Sequence, residues 1–276
     1  MLTVGVVGCG AIGSELCHVL QRTYARVARI VALHDQDISR AQQLQRTLDP
    51  PPECTSLTRL IARSHVVVEA ASVQVAADVV CRALRAHRDV LVMSIGGLLL
   101  HQTWRRLMRA SRGRLFLPSG ALAGLDGLLA MATGGGLRQV TLTTHKPPRA
   151  LADAPYVRTR RLQLAKFTRP KMIFNGTPHQ VIRAFPQNTN VAARVWLAAQ
   201  GLDLTRPARQ VPVRVRVVAD PRLTRNVHEL VVEGETGRLQ CRVESRPSRN
   251  PKTSELAIRS AQVTLQRMLD PVLMGS

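Results

Sequence analysis

Gly8-Cys9-Gly10-Ala11-Ile12-Gly13 is a G-x-G-x-x-G that directly follows the apolar run Leu2–Val7. It leads into Ser14–Leu20, whose apolar residues recur at helical spacing. An isolated glycine pattern of this kind arises often by chance, as an ordinary turn in an α/β protein. Placed between a buried strand and a helix, each glycine has a physical task. The first permits the tight turn, the second lets a pyrophosphate approach the backbone, and the third lets helix and strand pack closely. The helix start then offers unpaired N–H groups and the positive end of its dipole to phosphate. An acidic residue is expected about 20 residues further on, at the end of the second strand, to hold a ribose. The run Arg29–His34 ends in Asp35, which favours NAD, while Arg40 nearby keeps NADP open. The motif therefore predicts a dinucleotide-binding unit.

The alternation continues to residue 118. Strand-like runs at Val66–Glu69, Val90–Ser94 and Arg114–Leu117 are separated by helical stretches such as Asp37–Leu48, Val75–Ala86 and Leu100–Ser111. Strands alternating with helices predict a parallel sheet covered on both faces. Pro50-Pro51-Pro52 reads as a loop inside this unit. After Ser119 the texture changes to Val140–Thr144, Ile173–Asn175, Pro212–Val218, Glu229–Glu233 and Leu239–Ser245 as strands, with helices at Leu125–Ala132 and Asn190–Ala199. Val211, Val213, Val215 and Val217 alternate with Pro212, Arg214 and Arg216, so one face of this sheet is expected to be wet. The expected fold class is α/β: a Rossmann doubly wound parallel sheet plus a second α+β domain with a mixed sheet. The expected domains are 1–118 for the dinucleotide, 119–249 for substrate, catalysis and dimerisation, and 250–276. The last contains an amphipathic helix, Thr253–Leu269, that returns to the first domain.

Composition narrows the function classes. A chain of 276 residues with 45% hydrophobic residues can bury a full core. No segment reaches the ~20 apolar residues that span a bilayer, and no basic leader precedes Leu2, so a cytoplasmic protein with no membrane association is expected. The five cysteines, at 9, 17, 54, 81 and 241, contain no C-x-x-C and suggest neither a disulfide framework nor a metal site. The formal charge of +21 raises a nucleic-acid hypothesis. Against it, only four of the 39 basic residues are lysine, leaving 35 arginines spread along the chain, and aromatics are 3%. No basic-aromatic interleaving suited to stacking bases is present, so no dedicated nucleic-acid role is expected.

Three polar clusters lie in the second half. Phe185–Ala193 places amide side chains at a loop-to-helix junction, where asparagine is also an ordinary N-cap. Asn226-Val227-His228-Glu229 puts a histidine near a strand start, where a lone histidine is more often structural than catalytic. Asn250–Ser254 sets Lys252 and Thr253 at a helix N-terminus that would receive an anion, or simply cap the helix.

Taken in order, these segments make the chain resemble the NAD(P)-dependent L-aspartate dehydrogenase family over nearly its full length. The resemblance rests on GVVGCGAIG from Gly5, VVEAAS from Val67, LVMSIGGL from Leu91, LPSGALAGLDGL from Leu117 and HKPP from His145. It continues through FPQNTNVAA from Phe185, ADP at Ala219, NVHE from Asn226 and NPKTSELA from Asn250. It implies oxidation of L-aspartate to iminoaspartate, which feeds NAD biosynthesis or hydrolyses to oxaloacetate and ammonia. The second domain it implies is related to dihydrodipicolinate reductase and homoserine dehydrogenase, and the assembly is a homodimer. It assigns His228 as the catalytic residue. The cofactor set it implies is Gly8, Gly10, Ala11, Ile12, Gly13, Asp35, Ala70, Ala121 and Asn190, with Ala123 and Gly124 as alternatives to Ala121. Charge and placement add Lys252, Thr253 and Lys146 as candidates for the carboxylates of a dicarboxylic amino acid. The segment Arg206–Arg216 looks longer and more basic than the family pattern, and His145 stands where a basic residue is common before KPP. The alternatives are a related dehydrogenase or reductase acting on another small carboxylic acid, a cofactor-sensing protein without catalysis, and a polyanion-binding protein.

Overall fold

The computed structural model describes residues 1–133, 135–186, 189–201, 211–246, 248 and 254–269, with Thr189 described by its backbone alone. Contacts divide the chain into two units, and the division falls at Pro118/Ser119 and again at Ala257/Ile258.

The first unit runs β1 (Leu2–Val7), α1 (Ala11–Thr23), β2 (Ala28–His34), α2 (Ile38–Gln45), β3 (Glu53–Cys54) and α3 (Leu57–Arg63). It continues with β4 (Val66–Glu69), α4 (Val73–Arg85), β5 (Asp89–Val92), α5 (Gly96–Leu100), α6 (Thr103–Ala110) and β6 (Leu115–Phe116). The sheet order is β3-β2-β1-β4-β5-β6 and all pairings are parallel. This is the doubly wound order, and it reverses between β1 and β4, where such sheets bind ligands beyond the strand ends. Strands covered on both faces need no polar alternation, and all four residues of β4 are buried. The helix expected over Leu100–Ser111 is α6, which starts only at Thr103 because His101 is extended; the short helix α5 before it was not expected.

The second unit contains α7 (Leu125–Thr133), β7 (Leu137–Lys146), α8 (Pro155–Thr159), β8 (Lys171–Gly176), α9 (Pro178–Ala184) and α10 (Thr189–Gln200). Then follow β9 (Val213–Ala219), β10 (Asn226–Gly234) and β11 (Gly237–Ser245). The five strands order as β11-β10-β7-β9-β8, with β7 and β9 parallel and the other pairs antiparallel. In β7 alternate residues Val140, Leu142, Thr144 and Lys146 are buried, as a sheet with one covered face requires. β9 starts at Val213, and its alternation runs through exposed Arg214 and half-buried Arg216 but ends at buried Val218.

The last helix, α11 (Glu255–Leu269), buries Ile258, Ala261 and Leu265 at spacings of three and four. Ala261 and Leu265 pack in the same cluster as Val4, Leu16, Leu33 and Leu91 of the first unit. Leu265→Ala should therefore lower stability by about 2–5 kcal/mol, read from urea unfolding. A change within ~0.5 kcal/mol, typical of a surface position, would show that α11 adds nothing to that core.

Candidate active site

The glycine loop sits where the strand order reverses. Gly8 has φ of +94°, and a Cβ there would lie 2.5 Å from the Ala70 carbonyl carbon. At Gly13 a Cβ would lie 1.9 Å from the Gly8 carbonyl oxygen, so α1 can approach β1 only without a side chain. Gly10 differs, since a Cβ there would meet nothing within 4 Å. It is the N-cap of α1, which has no side-chain cap and no acidic residue in its first turn. The first-turn amides of Ala11, Ile12 and Gly13 are therefore left for a ligand. A cavity of about 300 Å³ lies beside this loop, lined among others by Gly8, Gly10, Asp35, Arg40, Ala70 and Ser72. Open space at the second glycine and a carboxylate in the same cavity fit a dinucleotide's pyrophosphate and ribose.

Asp35 does more than face that cavity. Its Oδ2 accepts a hydrogen bond from the Cys9 N–H at 2.7 Å, and its Oδ1 accepts from the Asp37 N–H at 2.9 Å. The carboxylate thus ties the end of β2 to the glycine loop. Arg40 is paired with Asp37 at 3.4 Å on the surface. Cys9, inside the motif, is a buried thiol whose pKa is pushed up to about 12, first by burial and then by the Asp35 charge. It is an inert packing group at neutral pH.

In the second unit, His228 lies on β10 directly across from Thr144 on β7. Both side chains are buried, and His228 Nδ1 is 3.0 Å from Thr144 Oγ1. Lys146, two residues along the same strand face, is also buried and lines a cavity of about 130 Å³ with Asp153, Phe185 and Pro186. Burial pushes the Lys146 ammonium down to about 8. His228 is pushed down to about 3, first by burial and then by the charges of Lys146 and His145. In the protein alone, His228 is therefore not poised to take a proton near neutral pH. The two charges that act on it, Lys146 and His145, are positive and oppose its protonation. His145 itself lies on the opposite face of β7 and pairs with Glu229 at 3.5 Å.

Ala121 is buried in the connection between β6 and α7, and Asn190 is half-buried in the first turn of α10. One turn beyond Asn190, the buried Arg194 lays its guanidinium against Gly120, where a Cβ would be 2.6 Å from Nη1. This contact brings the loop bearing Ala121 to the start of α10. Lys252 and Thr253 lie outside the described residues. Among the described residues there is no cluster of three or more His, Cys, Asp or Glu suited to a metal, and no helix long and apolar enough to cross a membrane.

Residues 127–268 match the family described as "Aspartate dehydrogenase, C-terminal", and residues 8–117 match "Homoserine dehydrogenase, NAD binding domain". The chain belongs to the aspartate dehydrogenase family. It is 41% identical to the L-aspartate dehydrogenase of Methanosarcina barkeri over 281 aligned residues, covering 100% of both chains. The L-aspartate dehydrogenase of Methanococcoides burtonii is 37% identical, again with 100% of both chains covered. Among solved structures, the aspartate dehydrogenase of Thermotoga maritima superposes with a TM-score of 0.75 over 100% of both chains at 22% identity, which bears on the fold.

Within this family member, two buried charged groups escaped sequence reasoning. Arg194 is one, and burial pushes it down to about 10. Glu69 is the other: fully buried at the end of β4, it accepts the N–H of Ala71 at 2.9 Å and of Ser94 at 2.9 Å. Burial raises its pKa despite these bonds. It joins the β4–α4 turn, which lines the loop cavity, to Ser94, two residues after β5. Its signal was the lone charge ending Val66-Val67-Val68-Glu69, a polar residue with no alternation to explain it.

Two outcomes follow from this geometry. Gly10→Ala should fold normally yet weaken NAD binding, whereas Gly13→Ala should destabilise the fold itself, as read by thermal melts with and without NAD. His228 is neutral when folded and titrates at 6.5 when exposed. Acidification below pH 6.5 should thus remove up to about 1.4 kcal/mol of stability per pH unit, and His228→Gln should lose correspondingly less in denaturant melts between pH 7 and 5.

Proposed function

We propose that this protein oxidises L-aspartate to iminoaspartate with NAD as the main cofactor and NADP as an alternative. The observation that carries the reading is 41% and 37% identity over the full chain to L-aspartate dehydrogenases, combined with a buried His228–Thr144–Lys146 group in which the charges acting on His228 are the cations Lys146 and His145. A site built this way suits a dianionic substrate.

The first unit binds the dinucleotide. The backbone of Gly8–Gly13 and the start of α1 receive the pyrophosphate, and the remaining lone pairs of Asp35 receive the ribose hydroxyls. Ala70 supplies a close wall beside Gly8. NAD(P), when bound, accepts the hydride from the substrate α-carbon. Ala121 and Asn190 belong to the cofactor set of the second unit. Lys146 meets one substrate carboxylate, and Lys252 with Thr253 are candidates for the other.

His228 removes a proton from the α-ammonium, leaving an amine whose lone pair can form the imine as the hydride departs. Alone, His228 is a weak base, because burial and the charges of Lys146 and His145 oppose its protonation. A bound dicarboxylate reverses the sign of the local field and raises its basicity. The base is thus activated by the substrate whose proton it takes, and water is not deprotonated in its absence.

The exposed or half-buried face of the five-stranded sheet, which carries Arg214, Glu229, Glu233 and Arg242, supports a homodimer. A cytoplasmic place and a supply of iminoaspartate to NAD biosynthesis complete the reading.

The direct test is NAD reduction measured across a panel of L-amino acids. L-Aspartate should give the highest kcat/KM, and a tenfold preference for another acid would overturn the assignment. The role of Lys146 has its own signature. Its charge is lost above about pH 8, so the aspartate KM should rise through that pH. Lys146→Met should already have the high KM and lack the step, and an unchanged KM in that variant would remove Lys146 from the site.

A further inference from the structure

We infer that Thr144 is a positioning residue, whose hydroxyl oxygen accepts Nδ1–H of His228 and so leaves Nε2 as the atom that takes the substrate proton. The inference rests on the reading of His228 given above and names a residue that acts through it.

Thr144 stands in an apolar row. Along the covered face of β7 the buried side chains preceding it are Val140 and Leu142, and its neighbour across the β7–β9 pair is Val217. On β10 the corresponding row reads His228, Leu230 and Val232, opposite Thr144, Leu142 and Val140. Valine has nearly the same shape as threonine and would fit such a row without a hydroxyl to desolvate. Burying an unbonded hydroxyl costs about 1–3 kcal/mol in proteins. Thr144 is 1% exposed, and among the described residues His228 Nδ1 is the hydrogen-bond partner of its hydroxyl, at 3.0 Å. The polar atom therefore serves the histidine.

The polarity of that bond follows from the reaction. When the α-ammonium N–H bond breaks and an Nε2–H bond forms, the imidazolium carries hydrogens on both nitrogens. Nδ1–H then needs an acceptor, and Thr144 Oγ1 is the atom in place. If the same oxygen already accepts Nδ1–H in the neutral ring, proton uptake at Nε2 needs no reorganisation of the buried pair. Many histidine bases have a carboxylate at this position, which raises their basicity permanently. A hydroxyl fixes the tautomer without adding charge, so the ring's basicity is left to the bound substrate.

The experiment combines kinetics with nitrogen NMR on the full-length protein. In 15N-histidine-labelled wild type, with the His228 resonances identified by their absence in His228→Gln, Nδ1 should carry the hydrogen. Thr144→Val should lower kcat by about 10- to 100-fold, with the KM for aspartate and NAD changed less than threefold and the Nδ1–H signature lost. Thr144→Ser should recover most of the lost rate, which a mere packing role would not predict, because serine restores the hydroxyl but not the methyl. An Nε2–H tautomer in wild type overturns the inference without any variant having to fold. A Thr144→Val protein with wild-type kcat, beside an inactive His228→Gln, overturns it while leaving the role of His228 intact. Turnover retained in His228→Gln removes the parent reading and this inference together.

Discussion

The approach of α1 to β1 through Gly13 is the constraint on which the cofactor-binding unit depends. With 1.9 Å separating a hypothetical Cβ from the Gly8 carbonyl oxygen, no other residue permits that spacing. The spacing sets where the helix begins, and the helix start sets where unpaired amides are offered. Around it the parallel sheet supplies rigidity, since β1, β4 and β5 are buried on both faces. Glu69 then fastens the next turn of chain to Ser94, two residues after β5, through two backbone amides. The result is a cradle made mostly of main chain, held in shape by the buried Glu69 and by Asp35.

The second unit works on the opposite plan. Its proposed chemistry lies with side chains on one buried sheet face, where the strand register places His228 across from Thr144, with Lys146 two positions further along β7. Packing polar groups among valines and leucines makes each of them costly to charge, and the direction of the pKa shifts of Lys146 and His228 reflects that cost. Such a site is dormant electrostatically until an anion arrives. This separates it from histidine sites that are held active by a fixed acidic partner.

Much of this was legible from residue order, for identifiable reasons. β4 was read with its observed bounds, Val66–Glu69, because a buried parallel strand is a continuous apolar run with clear ends. The glycine loop was legible because three positions a few residues apart share one geometric demand. β3 and α3 were not read: β3 has two residues, too few to show a period, and it follows the Pro50–Pro52 loop. His228 was visible as a histidine, but the depression of its pKa depends on burial and on the sheet-mediated neighbourhood of Lys146 and His145, which no local pattern encodes. Thr144 was invisible for the same reason, as a threonine in a strand is unremarkable until its cross-strand partner is known. Arg194 was one arginine among 35, and the charge ending Val66–Glu69 gave no sign of the two amides it holds.

The double engagement of Asp35 has a consequence for redesign of cofactor preference. A carboxylate at the end of the second strand is the usual place to alter when 2′-phosphate acceptance is wanted. Here its oxygens also hold the amides of Cys9 and Asp37. Replacing it with a neutral or basic residue would leave Cys9 N–H without its acceptor and slacken the loop that carries the pyrophosphate. On the proposed binding mode, discrimination at the ribose and grip on the phosphates are mechanically the same part. A broader cofactor range is better sought at Gln36 and Arg40, which line the cavity without holding the loop.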